Sequence, residues 1–237
     1  MGLSVAAVAL AQLNIPSDFW AAQKTPLFLA VVILSLEAGG EIARSAIALT
    51  RAERLRQYDN DIRAALSAAV AGVVEKFGSP WDEIAVYRYE VKGHWRWRRL
   101  FCVEAIRAGA PVRLTDRAIP IDHGVSGVAV SDELITFKEW ETFARSAVSA
   151  GRGAWEDLDR RSRFGLEWGD LMRSERPKGI ISCPTFDTNG KVEGCVTLTG
   201  PLHTFELMDS AMQTIVSDLA NAFSIVGRAP RGWRSYR

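Results

Sequence analysis

The chain is poor in the residues that build reactive sites. It carries 3 cysteines and 3 histidines among 237 residues. Cys102, Cys183 and Cys195 form no close pair, and each sits in an apolar, strand-like run. That pattern points to buried, reduced thiols rather than a disulfide framework. His94, His123 and His203 are scattered, so four zinc ligands at short spacing are not available. Phosphate loops, nucleophile elbows and kinase signatures are missing. No metal and no cofactor is expected. Net charge is also scarce, at +1, so no strong field attracts nucleic acid or an acidic substrate. Trp95-Arg96-Trp97-Arg98-Arg99 imitates a base-stacking strip. Without a general basic excess it reads as one strand with a dry and a wet face, and no nucleic-acid partner is expected.

Charge is scarcest at the start. From Met1 to Leu36 only Asp18 and Lys24 are charged. Two apolar runs, Leu3 to Leu13 and Leu27 to Leu36, flank Asn14-Ile15-Pro16-Ser17-Asp18 and the aromatic pair Phe19-Trp20. Arg51, Arg54 and Arg56 follow, which favours the cytoplasm for everything downstream. The pattern predicts a membrane-associated helical hairpin over 1–49, touching lipid, with the main domain cytoplasmic. Length opposes a full span. Each run is shorter than the roughly 20 apolar residues a bilayer requires, and Glu37 and Glu41 cut the second. A buried oligomerisation helix is the alternative.

Proline is absent from Ala43 to Lys76, and Gly72 is the one glycine there. Ile47, Leu55, Ile62, Leu66, Val70, Val73 and Val74 recur at helical spacing, so a long helix is expected. Ile84 to Val91 and Trp95 to Ala105 read as a hairpin around Lys92-Gly93-His94. Ile180 to Phe186 and Val192 to Thr199 read as a second hairpin around Asp187-Thr188-Asn189-Gly190-Lys191. A helix opening at Phe205 and Asp209 is expected to run to about Val226. Phe205 would staple its start, and Asp209 would favour its positive end.

Cys183-Pro184, Gly190-Lys191-Val192-Glu193-Gly194 and Phe205-Glu206-Leu207-Met208-Asp209 occur in that order. With Gly124-Val125-Ser126-Gly127-Val128-Ala129 as a turn, the order resembles the GAF family of small regulatory sensors, from about Asp59 to Val226. The resemblance implies an α+β fold: a GAF-like antiparallel sheet with helices on both faces, following the N-terminal helical segment. It places a sensor domain over 50–227 and a basic tail over 228–237.

Residues 131–176 form an unusually long excursion holding Trp140, Phe143, Trp155, Phe164 and Trp168 among many charges. Helices are expected over Glu139 to Val148 and Ala154 to Arg161, separated by Gly151 and Gly153. In the resembled family such a segment walls a ligand cavity. The resemblance therefore implies a small-molecule site made of Tyr87, Trp140, Phe143, Trp155, Arg163, Phe164, Trp168 and Cys183. Arg163 would take an anionic group. The same aromatics would equally serve as a small core.

One enzymatic branch of the family reduces methionine sulfoxide with a thiol at the Gly-x-x-Gly turn. Ser126 stands there, and residues 103 to 182 contain no cysteine. A protein without catalytic activity is therefore expected. The cysteines are followed by Val103, Pro184 and Val196, which does not match bilin attachment. The Asn-Lys of cyclic-GMP binders is replaced by Gly200-Pro201-Leu202-His203-Thr204. The expectation is a membrane-tethered sensor that binds an unidentified small molecule, forms a homodimer and signals to a separate effector protein. A ligand-free scaffold for protein contact is the alternative.

Overall fold

The computed structural model describes residues 24–94, 97–107, 118–174, 176–228 and Pro230, together with Ala9 and Gln12. The chain divides into two compact units, Met1–Gln57 and Tyr58–Arg237. Helix α1 covers Lys24–Phe77. The first apolar run lies almost wholly outside the described residues, and the second belongs to α1. No helix among the described residues is long and apolar enough to cross a membrane. The expected membrane hairpin is thus unsupported, because the apolar run ends at Glu37 well short of a bilayer's width.

The second unit is a six-stranded sheet. Its strands are β1 (Ala85–Lys92), β2 (Arg99–Arg107), β3 (Ile119–Pro120), β4 (Thr136–Glu139), β5 (Gly179–Phe186) and β6 (Val192–Gly200). Their order is β3-β2-β1-β6-β5-β4, and every pairing is antiparallel. The expected shared layer is present: Val86 opposes Leu198, and Tyr89 opposes Cys195. The hairpin at Asn189-Gly190 forms as read, with Gly190 at φ +73° and Asp187 accepting from the Asn189 and Lys191 amides. Gly194 is required where β6 passes β1, because a Cβ there would meet the Tyr89 carbonyl oxygen at 2.0 Å.

The helices are α2 (Gly124–Asp132), α3 (Trp140–Asp157), α4 (Trp168–Arg173), α5 (Thr204–Met208) and α6 (Ser210–Val226). Alternate residues of β5 identify the two faces, because side chains on a strand point to opposite sides. Ser182 meets Ser126 of α2, whereas the Cys183 thiol meets Ser217 of α6. Helix α2 and helix α6 therefore cover opposite faces. Ile62, Leu66, Val70 and Val73 of α1 are buried at helical spacing, as are Met212, Val216, Leu219 and Phe223 of α6. Gly72 lets the two helices approach, since a Cβ there would lie 3.6 Å from Ile215.

Four local expectations are corrected. Gly124 to Ala129 is the start of α2, not a turn; four of those six residues are buried, and the helix hides that face on the sheet. Strand β2 begins at Arg99 rather than Trp95, and Trp97 precedes it at 77% exposure; Trp95 and Arg96 of the Trp-Arg strip lie outside the described residues. The last helix is broken into α5 and α6 at Asp209, whose carboxylate caps α6 by accepting from the Ala211 amide at 2.7 Å. Phe205 is 73% exposed and stacks on His203 instead of stapling that helix.

Candidate functional site

Five of the expected ligand residues meet in one aromatic layer. Trp140 and Phe143 stand on the first turn of α3, Trp155 near its end and Trp168 at the start of α4. Phe164 comes from the connection between them. Ring centroids lie 5.3 Å apart for Trp140–Phe143, 5.7 Å for Trp140–Phe164 and 5.5 Å for Phe143–Phe164. Phe143 also meets Trp155 at 5.8 Å, and Trp155 meets Trp168 at 6.5 Å. These are the tilted and edge-on contacts that ring quadrupoles favour. Val125 of α2, Leu171 of α4 and Ile180 of β5 close the layer against the sheet.

The two halves of α3 reach this layer because the helix bends at Gly151, which sits at φ +87° and ψ 170°. The chain from Asp159 to Leu166 is then clamped over the start of α2. The Gly124 amide donates to the Phe164 carbonyl at 2.8 Å. Arg160 pairs with Asp122 at 2.8 Å and Arg161 with Asp132 at 2.6 Å. Gly165 passes the Asp122 carbonyl so closely that a Cβ would sit 2.2 Å from its oxygen. Asp122 and Phe164 both hold positive φ, at 84° and 50°, a conformation that costs L-residues energy.

The layer is apolar but contains one buried polar atom without a partner. Trp155, 1% exposed, has no hydrogen-bond acceptor for its Nε1 among the described residues. Arg163, the residue before Phe164, has a buried Nε in the same condition. Both are N–H donors, so each lacks an acceptor. A buried donor left unsatisfied costs about 1–3 kcal/mol.

The other two expected residues are elsewhere. Tyr87 is half-buried and stacks on Tyr89 at 6.2 Å. Tyr89 packs on a second core of Leu100, Val130, Val192 and Cys195. Cys183 faces α6, on the far side of the sheet, and burial pushes its thiol above the usual range. Strand parity alone separates Cys183 from the layer, since Ile180 and Ser182 take the other face.

Two features were not foreseen. Under α2, the hydroxyls of Ser126, Ser182 and Thr197 close a buried triangle with sides of 2.8, 3.3 and 2.7 Å. Beneath α1 and α6 lies a buried charged cluster. Arg88, 2% exposed, donates to the Tyr58 hydroxyl at 3.0 Å and to the Gly227 carbonyl at the end of α6. Its guanidinium lies 4.6 Å from the Phe223 ring centroid and 3.7 Å from Glu90. Glu90, Glu104 and Glu193 are all buried, and Glu104 directly opposes Arg88 across β1 and β2. Burial raises the Glu193 carboxyl above its ordinary value, partly offset by Arg228 at 3.3 Å. Burial likewise pushes the Tyr58 phenol up. The signal for this cluster was the placing of Arg88, Glu90, Glu104 and Glu193 inside strand runs, which only the strand register makes into neighbours. No group of three or more His, Cys, Asp or Glu among the described residues could hold a metal ion.

A third feature is an open groove of about 460 Å³ beside edge strand β4. Phe137, Lys138 and Glu139 form one wall, Thr142, Phe143 and Ser146 of α3 the other, with Thr204 at the end. Glu139 accepts from the Thr142 hydroxyl at 2.7 Å and the Thr204 hydroxyl at 2.8 Å. Those bonds hold its carboxyl below the usual range.

No protein-family model and no curated protein matches the sequence. Solved structures similar to it include fRMsr of Staphylococcus aureus in its reduced form, at 16% identity and TM-score 0.40, over 71% of this chain and 94% of that one. The GAF domain of an Acinetobacter phosphoenolpyruvate-protein phosphotransferase is similar at 14% identity and TM-score 0.42, over 75% of this chain and 92% of that one. A GAF sensor protein from Burkholderia vietnamiensis is similar at 11% identity and TM-score 0.38, over 78% and 94%. The expectation of a protein without catalytic activity is corrected by these neighbours, because fRMsr, a methionine sulfoxide reductase, is among them. The architecture of this chain, an antiparallel six-stranded sheet with helices on both faces, is the α+β arrangement that the resemblance to the GAF family implies.

Proposed function

We propose that this chain is a sensory or regulatory domain whose input is a small molecule entering the Trp140–Trp168 aromatic layer. The observation that carries this is the Trp155 Nε1 donor, buried in that layer with no acceptor among the described residues. A ligand offering an acceptor to this N–H and an apolar body to the rings would satisfy both needs. Arg163 would supply a second donor at the rim. Binding would displace rings that now touch one another, so it would be read out as a shift of α3. The output passes to a separate effector protein, and the chain acts as a homodimer attached to membrane lipid through its N-terminal segment.

Native mass spectrometry of the full chain tests the input and the dimer together. A co-purified small molecule that is lost in Trp155→Phe is the expected result. An empty monomer, unchanged by the substitution, refutes both. Purification without detergent would refute the lipid attachment.

A ligand-free scaffold is the second reading. It is favoured by the direct ring-to-ring contacts, which fill the layer, and by the exposure of Phe205 (73%) and Met208 (59%) on α5. In that case Trp155→Phe changes stability and nothing else.

A further inference from the structure

We infer that the groove between β4 and α3 is a docking site for an extended peptide segment of the effector protein, one that carries a carboxylate. This goes beyond the small-molecule reading and rests on it only for the existence of a separate effector protein.

Three observations converge on the groove. The first is an open edge. Strand β4 ends the sheet and pairs with β5 alone, so its outer side pairs with no strand among the described residues. An unpaired strand edge offers a row of backbone donors and acceptors to another chain. Four residues of strand extend about 13 Å, so a complementary segment of similar length would be held.

The second is the wall. Helix α3 runs beside the edge and turns it into a trough of about 460 Å³ rather than a flat border. Phe137 and Phe143 line it, so alternate side chains of an added strand would find apolar contact. Leu134, two residues before β4, and Phe205, next to Thr204 in the chain, are exposed at 65% and 73%.

The third is charge, and it selects the partner. Lys138 is half-buried, with its ammonium 5.0 Å from the Phe143 ring centroid. It has no ion pair among the described residues. The neighbouring Glu139 cannot serve, because its two oxygens already accept from Thr142 and Thr204 and face His203 at 3.8 Å. The groove thus holds one cation without a counter-ion, partly desolvated over an aromatic face, where a carboxylate gains most. Edge lysines also deter unwanted strand pairing. A lysine doing only that would extend into water, whereas this one folds back into the trough.

The test is selection of a random octapeptide library displayed on phage against the immobilised full chain. Enriched peptides are expected to place Asp or Glu between β-branched residues. Synthetic versions should bind wild type roughly tenfold more tightly than Lys138→Glu. They should also slow hydrogen exchange at the amides of residues 136–139. Lys138→Gln provides the comparison if Lys138→Glu does not fold. Any of three results overturns the inference: no enrichment over the bare surface, binding indifferent to residue 138, or protection that maps away from β4. A β4-to-β4 dimer, seen as a concentration-dependent mass that Lys138→Glu alters, would make a second copy the occupant and overturn it too.

Discussion

Replacing Arg88 with methionine should be among the most damaging single changes in the domain. The side chain is 2% exposed and makes two hydrogen bonds, one to Tyr58 and one to Gly227. It also stacks over Phe223 and neutralises part of a site holding Glu90, Glu104 and Glu193. Methionine fills most of the volume but removes every one of these contacts. Three carboxylates then share a buried site with no buried cation. Breaking a buried ion pair by removing one partner costs about 3–5 kcal/mol. Domains of this kind have about 5–15 kcal/mol in total, so the variant should be marginal at neutral pH. Urea unfolding of the full chain, followed by tryptophan fluorescence, gives the number. Acidification supplies an internal check through Glu193, whose carboxyl pKa burial already raises: its protonation should narrow the gap to wild type as pH falls. Arg88→Lys keeps the charge but not the forked donors or the flat stack, and should recover only part of the loss. A loss below 1 kcal/mol for Arg88→Met, or a gap independent of pH, would refute the account of the cluster.

Other tests follow from single residues. Burial raises the Glu193 pKa in the fold, so its contribution is favourable below the unfolded value of about 4.3 and is lost as pH rises through the folded value. Glu193→Gln should therefore gain on wild type in melts as pH rises from 4 to 8; a constant difference contradicts this. All three cysteines are buried and free, and burial raises the thiols of Cys183 and Cys195. Iodoacetamide at pH 8 should label the native chain far more slowly than the urea-unfolded chain; rapid native labelling of Cys183 would contradict its position against α6. Gly165→Ala puts a Cβ 2.2 Å from the Asp122 carbonyl at a positive φ, so it should release the Asp159–Leu166 clamp. Faster trypsin cleavage after Arg160 or Arg161 is the expected signal, and an unchanged rate sinks it.

Much of the sheet was legible because local signals and tertiary needs agree there. Val192 to Thr199 is β-branched, follows an Asn-Gly turn and pairs where a central strand must. Helix α1 was legible from the spacing of Ile62, Leu66, Val70 and Val73, all buried. The misreadings arose where geometry across the fold overrides local pattern. Gly124 to Ala129 is rich in small residues and looks like a turn, yet its small side chains are what let a helix lie close on the sheet. A Cβ at Gly127 would sit 3.0 Å from both the Pro120 oxygen and the Asp122 nitrogen. Strand β4 was invisible because Thr136 to Glu139 is short and lies inside a charged excursion; only its pairing with Gly179 to Ser182 defines it.

The candidate ligand residues show the same division. Trp140, Phe143, Trp155, Phe164 and Trp168 share one chain segment, and their joint burial follows from having no other apolar surface to cover. Cys183 comes from a strand, where counting residues decides the face and puts it opposite Ile180 and Ser182, whereas Tyr87 shares the layer's face but sits on β1 opposite Thr197, where it stacks on Tyr89. The charged residues follow the opposite logic. Arg88 and Glu104 look solvent-facing in sequence, since strongly charged side chains are rarely buried alone. They are buried because β1 and β2 set them directly opposite and α1 and α6 cover them.

Phe143 is where the two proposed sites touch. Its ring contacts Trp140, Phe164 and Trp155 in the aromatic layer, and the same residue lines the groove beside Lys138. A molecule that separates those rings must move Phe143, and Phe143 cannot move without altering the cation contact that positions Lys138. The two occupancies are then linked, and linkage is reciprocal: the factor by which a ligand changes peptide affinity equals the factor by which peptide changes ligand affinity. Packed layers switch between discrete arrangements rather than deforming smoothly, so the coupling should act as a shift between two positions of the first half of α3. Gly151 is suited to that motion. It lies at the bend, at φ +87°, with no atom within 4 Å of where a Cβ would be. A shift of the first half of α3 relative to Trp155 and the clamped Asp159–Leu166 chain would have to be taken up at this residue.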